Sequence, residues 1–180
     1  MDVNGLRQAV DGEVVSDGQA GFESRLREMT WNRLAPASRP AAIVRVTDES
    51  DVIACVRFAR NNGLRLTTRG GGHNWYGTPL RAGVLLLDLS ALDGVAIDVA
   101  ARTAIVQPVV ESRDFARRLA AHGLAFPVGH CPGVKLSGYL LSGGLGWNPG
   151  TWSAGRSAVT TSTTSCALPR AGRCGGSSSS

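Results

Sequence analysis

Lysine is absent from this chain before Lys135, so the net charge of +5 is made of scattered arginines and no basic block forms. Basic–aromatic interleaving is missing too, and aromatics amount to only 6% of residues. A nucleic-acid-binding domain therefore ranks last among the readings, and no nucleic-acid partner is expected. No run approaches the roughly 18 apolar residues that a membrane span needs. Met1 to Gly5 carry no basic segment leading into an apolar run, so neither a signal peptide nor a membrane partner is expected, and the cytoplasm is the expected location. Cys55, Cys131, Cys166 and Cys174 show no Cys-x-x-Cys spacing, which argues against a metal site and a disulfide framework.

What remains is globular: 43% hydrophobic residues in 180, enough for one domain with a core. Residues 1–40 read as a short helix, a turn and a second helical piece, with Phe22, Leu26 and Met29 on one face. Ala42 to Val46 is a short β-branched strand. A helix follows, capped by Thr47 or Asp48, with Val52, Cys55, Val56 and Ala59 facing inward and Gly63 closing it. Leu64 to Thr68 is the next strand, so this part reads as a parallel strand–helix–strand crossover. Gly83 to Leu89 is a buried strand, and Val95 to Val99 with Thr103 to Pro108 read as a hairpin. Ser112-Arg113-Asp114 caps a further helix that buries Phe115 and Leu119.

Arg69-Gly70-Gly71-Gly72-His73-Asn74-Trp75-Tyr76-Gly77 falls directly at the end of the second strand. Consecutive glycines leave backbone N–H groups unshielded, and such groups pointing into one concavity form a nest for phosphate. On these residues alone, a phosphate-binding loop and an ordinary glycine-rich turn are even. The position decides for a ligand loop, because open α/β sheets bind at the carboxyl ends of their strands. A second glycine-rich region runs from Gly129-His130-Cys131-Pro132 to Gly146-Trp147, and two such runs in one small domain point to a shared ligand. From Asn148 to Ser180 the chain is rich in Ser, Thr, Gly and Arg, without hydrophobic period, and reads as disordered.

With both runs in view, residues 5 to 149 resemble the vanillyl-alcohol oxidase and p-cresol methylhydroxylase (PCMH) superfamily of flavoproteins, most of all its berberine-bridge-enzyme-like branch. Five segments carry the resemblance, in the same order. They are Arg39-Pro40-Ala41-Ala42-Ile43-Val44, Asp51-Val52 with Ala59-Arg60, Arg69 to His73, Asp88-Leu89-Ser90, and Gly129-His130-Cys131-Pro132 to Gly146-Trp147. The resemblance implies an α+β fold: a PCMH-type FAD-binding domain of two α/β subdomains, the first with a small parallel sheet, the second mixed or antiparallel. It places a helical lead-in at 1–38, the FAD-binding domain at 39–149 and a tail at 150–180. It implies FAD held by Arg69, Gly70, Gly71, Gly72, His73 and Asn74 in the first loop, and by Gly129, Cys131, Val134, Ser137, Gly138, Gly143 and Gly144 in the second. It further implies covalent bonds to the flavin from His73, at the 8α-methyl, and from Cys131, at the 6-position.

The implied activity is flavin-dependent oxidation of a small alcohol or sugar-type substrate, with oxygen as electron acceptor. No catalytic base can be named from the resemblance. Lys135, Ser137 and Ser142 stand where the family usually has glycine, and Val109 follows Pro108 where glycine is usual. The family pattern stops near Pro149-Gly150, which points to a truncated or frameshifted reading frame and an incomplete domain. A remnant that binds FAD weakly or not at all is the alternative reading.

Overall fold

The structure, a computed structural model, describes residues 3–34 and 37–146 and the backbone of 159–160 and 165–167. Its first subdomain is a four-stranded sheet in the order β1 (Glu13–Ser16), β2 (Ala42–Arg45), β4 (Leu85–Asp88), β3 (Leu66–Arg69). β1 runs antiparallel to β2, whereas β2 and β3 each pair with β4 in parallel. The expected strand–helix–strand unit is present, with α3 (Glu49–Asn61) as its helix, but its two strands are not neighbours. β4 lies between them. The reason is burial: every residue of β4 is buried, which suits a central parallel strand covered on both faces. β3, with Thr67 and Thr68, is only partly buried and takes the edge. β1 is a strand where a turn between two helical pieces is expected; pairing with the free edge of β2 overrides its weak local pattern.

One face of this sheet packs on α1 (Asn4–Ala9) and α3, where Leu6, Cys55 and Ala59 meet Val44, Leu85 and Leu87. The other face takes α2 (Phe22–Glu28): Phe22, Leu26 and Met29 meet Ile43, Leu80 and Leu86. Asp48 caps α3, its Oδ1 accepting the Asp51 N–H at 3.0 Å. Asp51 is itself buried and accepts from the N–H groups of Asp11 and Thr47 and from the Thr47 hydroxyl, each at 2.8 Å. One carboxylate thus joins the turn before β1 to the start of α3 and satisfies its own lone pairs.

The second subdomain holds β5 (Val95–Asp98) and β6 (Thr103–Val106), the expected hairpin, paired Val95 to Val106. Its described strands are all antiparallel, in the order β5-β6-β8-β7, with β7 at Val159–Thr160 and β8 at Ser165–Ala167. Those two short strands fall in the stretch read as disordered. The backbone groups on the free side of β6 supply the ladder that local sequence does not announce. α4 (Ser112–Ala120) buries Phe115 and Leu119 against Phe126, Leu136 and Tyr139. Ser112 does not cap it. Glu111 holds the cap position, and the Ser112 hydroxyl instead donates to the Val134 carbonyl at 2.9 Å. The second glycine region contains a short helix, α5 (Leu136–Leu141), whose Leu136 and Tyr139 are buried.

Candidate functional site

A cleft of about 730 Å³ opens where the end of β3 faces the start of α5. The first glycine run forms one wall and residues 134–145 the other. Gly70 lies so close to the far wall that a Cβ there would sit 3.2 Å from Ser137 Oγ. Gly72 has φ +65°, and a Cβ on it would stand 2.3 Å from the Met29 carbonyl oxygen, so only glycine fits. Its own carbonyl accepts the Trp31 N–H at 3.2 Å, which ties the loop to the chain after α2.

The backbone N–H groups of Gly70, Gly71, Gly72 and His73 donate to no acceptor among the described residues, nor does that of Gly138 across the cleft. Clustered donors without partners, on residues lining one concavity, are what an anionic ligand requires. This is the observation by which the site fits a diphosphate-bearing cofactor.

Arg69 plays another part than a free phosphate ligand would. Its Nη1 lies 3.1 Å from Asp88 Oδ1, its Nε donates to the Met29 carbonyl and its Nη2 to the Glu28 carbonyl. The guanidinium braces the loop from beneath. Asn74 is similarly engaged, its Oδ1 accepting from the Tyr76 and Thr78 N–H groups and the Thr78 hydroxyl. His73 is exposed at the cleft wall and stacks on Trp31, ring centroids 5.7 Å apart, with Trp75 edge-on to Trp31 at 4.7 Å.

Val134, Ser137, Gly138 and Gly144 line the cleft with residues 69–74, as expected. Gly129, Cys131 and Gly143 do not line it. Cys131 is exposed, its Sγ 3.7 Å from His130 Nδ1. Gly129 packs instead under the Tyr139 ring, and Gly143 turns the chain after α5 with φ +103°. Tyr139 was not singled out by the sequence, yet it organises this wall: its hydroxyl donates to the Gly144 carbonyl at 2.5 Å, and its burial pushes the phenol pKa up. An aromatic residue between two glycine clusters was the available signal. Val109 is buried without conflict, its N–H donating to the Leu92 carbonyl at 3.0 Å. Lys135 does crowd the loop, because a Cβ on Gly71 would fall 2.4 Å from its Cγ.

Comparison with known proteins gives the site its setting. The family described as FAD binding domain matches residues 40–164. The chain belongs to this family. This FAD-binding domain is 34% identical over 139 residues to (R)-6-hydroxynicotine oxidase of Paenarthrobacter nicotinovorans, covering 77% of this chain and 30% of that protein. It is 35% identical over 109 residues to berberine bridge enzyme-like 5 of Arabidopsis thaliana, covering 58% of this chain and 21% of that one. Among solved structures it is similar to 6-hydroxy-D-nicotine oxidase of Arthrobacter nicotinovorans, with a TM-score of 0.76 and 30% identity over 88% of this chain and 34% of that one. The PCMH-type, berberine-bridge-like resemblance of the FAD-binding domain is thereby established, and the chain spans between about a fifth and a third of the length of these relatives. No helix among the described residues is long and apolar enough to cross a membrane, and no group of three or more His, Cys, Asp or Glu among them could hold a metal ion.

Proposed function

We propose that this FAD-binding domain serves a flavin-dependent oxidoreductase that oxidises a small alcohol or sugar-type substrate and passes the electrons to dioxygen. The observation that carries the proposal is the cleft between the two glycine runs, with its row of backbone donors that have no partner among the described residues. Bound there, FAD supplies the two-electron acceptor that no side chain of the chain can provide. The Gly70 to His73 N–H groups would hold the diphosphate, and Ser137 and Gly138 would face it from the other wall. Leu141 and Leu145, strongly exposed at the cleft, offer apolar surface suited to a flat aromatic ring.

His73 is the proposed covalent anchor. It lines the cleft, it is exposed, and Trp31 fixes its ring plane. With FAD bound in the cleft, an imidazole nitrogen of His73 would be the group held for a covalent bond to the flavin. A second tether through Cys131, whose thiol is exposed, would require its loop to turn toward the cleft.

The test is to purify the chain after expression with FAD, then record its visible spectrum and intact mass. A yellow protein carrying one FAD after denaturation supports a covalent tether. Loss of the adduct in His73→Ala, with reversible FAD binding kept, assigns the anchor. A colourless chain of unmodified mass that also binds no added FAD would overturn the proposal.

A further inference from the structure

Arg69 and Lys135 are the only permanently charged side chains that line the cleft among the described residues. They are cations in very different situations. The Arg69 guanidinium is spent on Asp88 and on backbone carbonyls. Lys135, the single lysine of the chain, lays its stem on Gly71 and carries its ammonium to Glu111, Nζ to Oε1 2.6 Å. Both partners keep water contact, with side chains 23% and 38% exposed. Glu111 lines an adjoining cavity of about 270 Å³, together with Ser90, Asp93, Asp114 and Arg118, and not the cleft itself. Lys135 lines both cavities. It therefore stands in the wall between them, its Cγ against the phosphate loop and its ammonium on the far side.

We propose that Lys135 is a two-position cation: bonded to Glu111 as seen here, it transfers to a phosphate oxygen when a dinucleotide diphosphate enters the cleft. This deepens the proposed function and rests on it. A lysine ammonium sits on a flexible stem, and rotating the bonds beyond Cγ moves the charge while the stem stays on Gly71. The backbone donors alone meet a diphosphate with partial charges, so a full positive charge is the missing complement. Glu111 holds that charge back and thereby lowers affinity, and Arg118 remains in the same small cavity as the carboxylate that Lys135 leaves.

The test compares wild type, Lys135→Met, Lys135→Arg and Glu111→Gln as full chains, each checked for folding by circular dichroism. Binding is followed by flavin fluorescence for FAD and riboflavin and by calorimetry for ADP. Lys135→Met keeps the stem and loses the charge; it weakens FAD and ADP by about tenfold or more and leaves riboflavin within about twofold. Glu111→Gln tightens FAD and ADP, and Lys135→Arg binds them more tightly than Lys135→Met. The salt dependence of ADP binding shrinks in Lys135→Met. If Lys135→Met binds FAD as tightly as wild type or more tightly, the lysine is a plug and the inference is overturned, while the proposed function stands. If wild type and all variants bind none of the three ligands, the proposed function and this inference fall together.

Discussion

Arg69 and Asp88 end neighbouring parallel strands and face each other in register, with Nη1 3.1 Å from Oδ1. Asp88 is almost fully buried, and its carboxylate also accepts from the N–H and hydroxyl of Ser90. The pair joins β3 to β4 at the point where the chain leaves the sheet for the glycine loop, and the same guanidinium reaches the carbonyls that end α2.

Removing the arginine leaves a buried carboxylate with no counter-charge. Arg69→Leu is expected to cost about 2–3 kcal/mol, read as a lower urea midpoint. The double variant Arg69→Leu/Asp88→Leu recovers part of that loss, since no charge is then stranded. An equal loss in single and double variants would show that the pair acts only through packing.

Gly71 and Lys135 couple two walls of the cleft. Gly71→Ala is expected to destabilise by about 1–2 kcal/mol, because its Cβ meets the Lys135 stem. In a Lys135→Ala background the same change is expected to cost less by about 1 kcal/mol. A double-mutant cycle from denaturant unfolding measures the difference, and additive effects would mean that the stem simply moves aside.

Much of this site was readable in advance, and the parts that were not share a cause. The glycine run after β3, the acidic N-cap of α3 and the apolar run of β4 are signals contained in a few adjacent residues. Lys135 drew notice because it stands where the resembled family usually has glycine. The Arg69–Asp88 pair, the stacking of Trp31 on His73 and the insertion of β4 between β2 and β3 depend on segments far apart in sequence, which only the assembled sheet brings together. Cys131 shows the opposite limit. Its local pattern was clear, but local pattern does not say that the thiol stays outside the cleft.

The Tyr139 hydroxyl adds one side-chain hydrogen bond to the second glycine region, to the Gly144 carbonyl, beside the Gly144 N–H bond to the Tyr139 carbonyl. Tyr139→Phe is expected to lose about 1 kcal/mol of stability and to speed amide exchange over residues 143–146. Unchanged exchange there would remove the hydroxyl from this role.

Cys55 is fully buried, and that burial, reinforced by the negative charge of Asp51, pushes its thiol pKa from 9.0 up to about 11. The folded chain then keeps a proton that the unfolded chain gives up. Stability from this site is complete below about pH 9 and declines by about 1.4 kcal/mol per pH unit as pH rises toward 11. Cys55→Ala should flatten this part of the pH–stability curve. Peptide mapping after thiol labelling at pH 8 should find Cys131 modified and Cys55 protected until denaturant is added.

The most direct test of the whole account is hydrogen exchange with and without FAD. The backbone donors from Gly70 to His73 have no acceptor among the described residues, so their exchange should be fast in the protein alone. FAD is predicted to slow exchange over residues 70–74 and 137–138, with little change in β5 and β6. FAD binding that leaves residues 70–74 as fast as before would contradict the assignment of this cleft as the cofactor site.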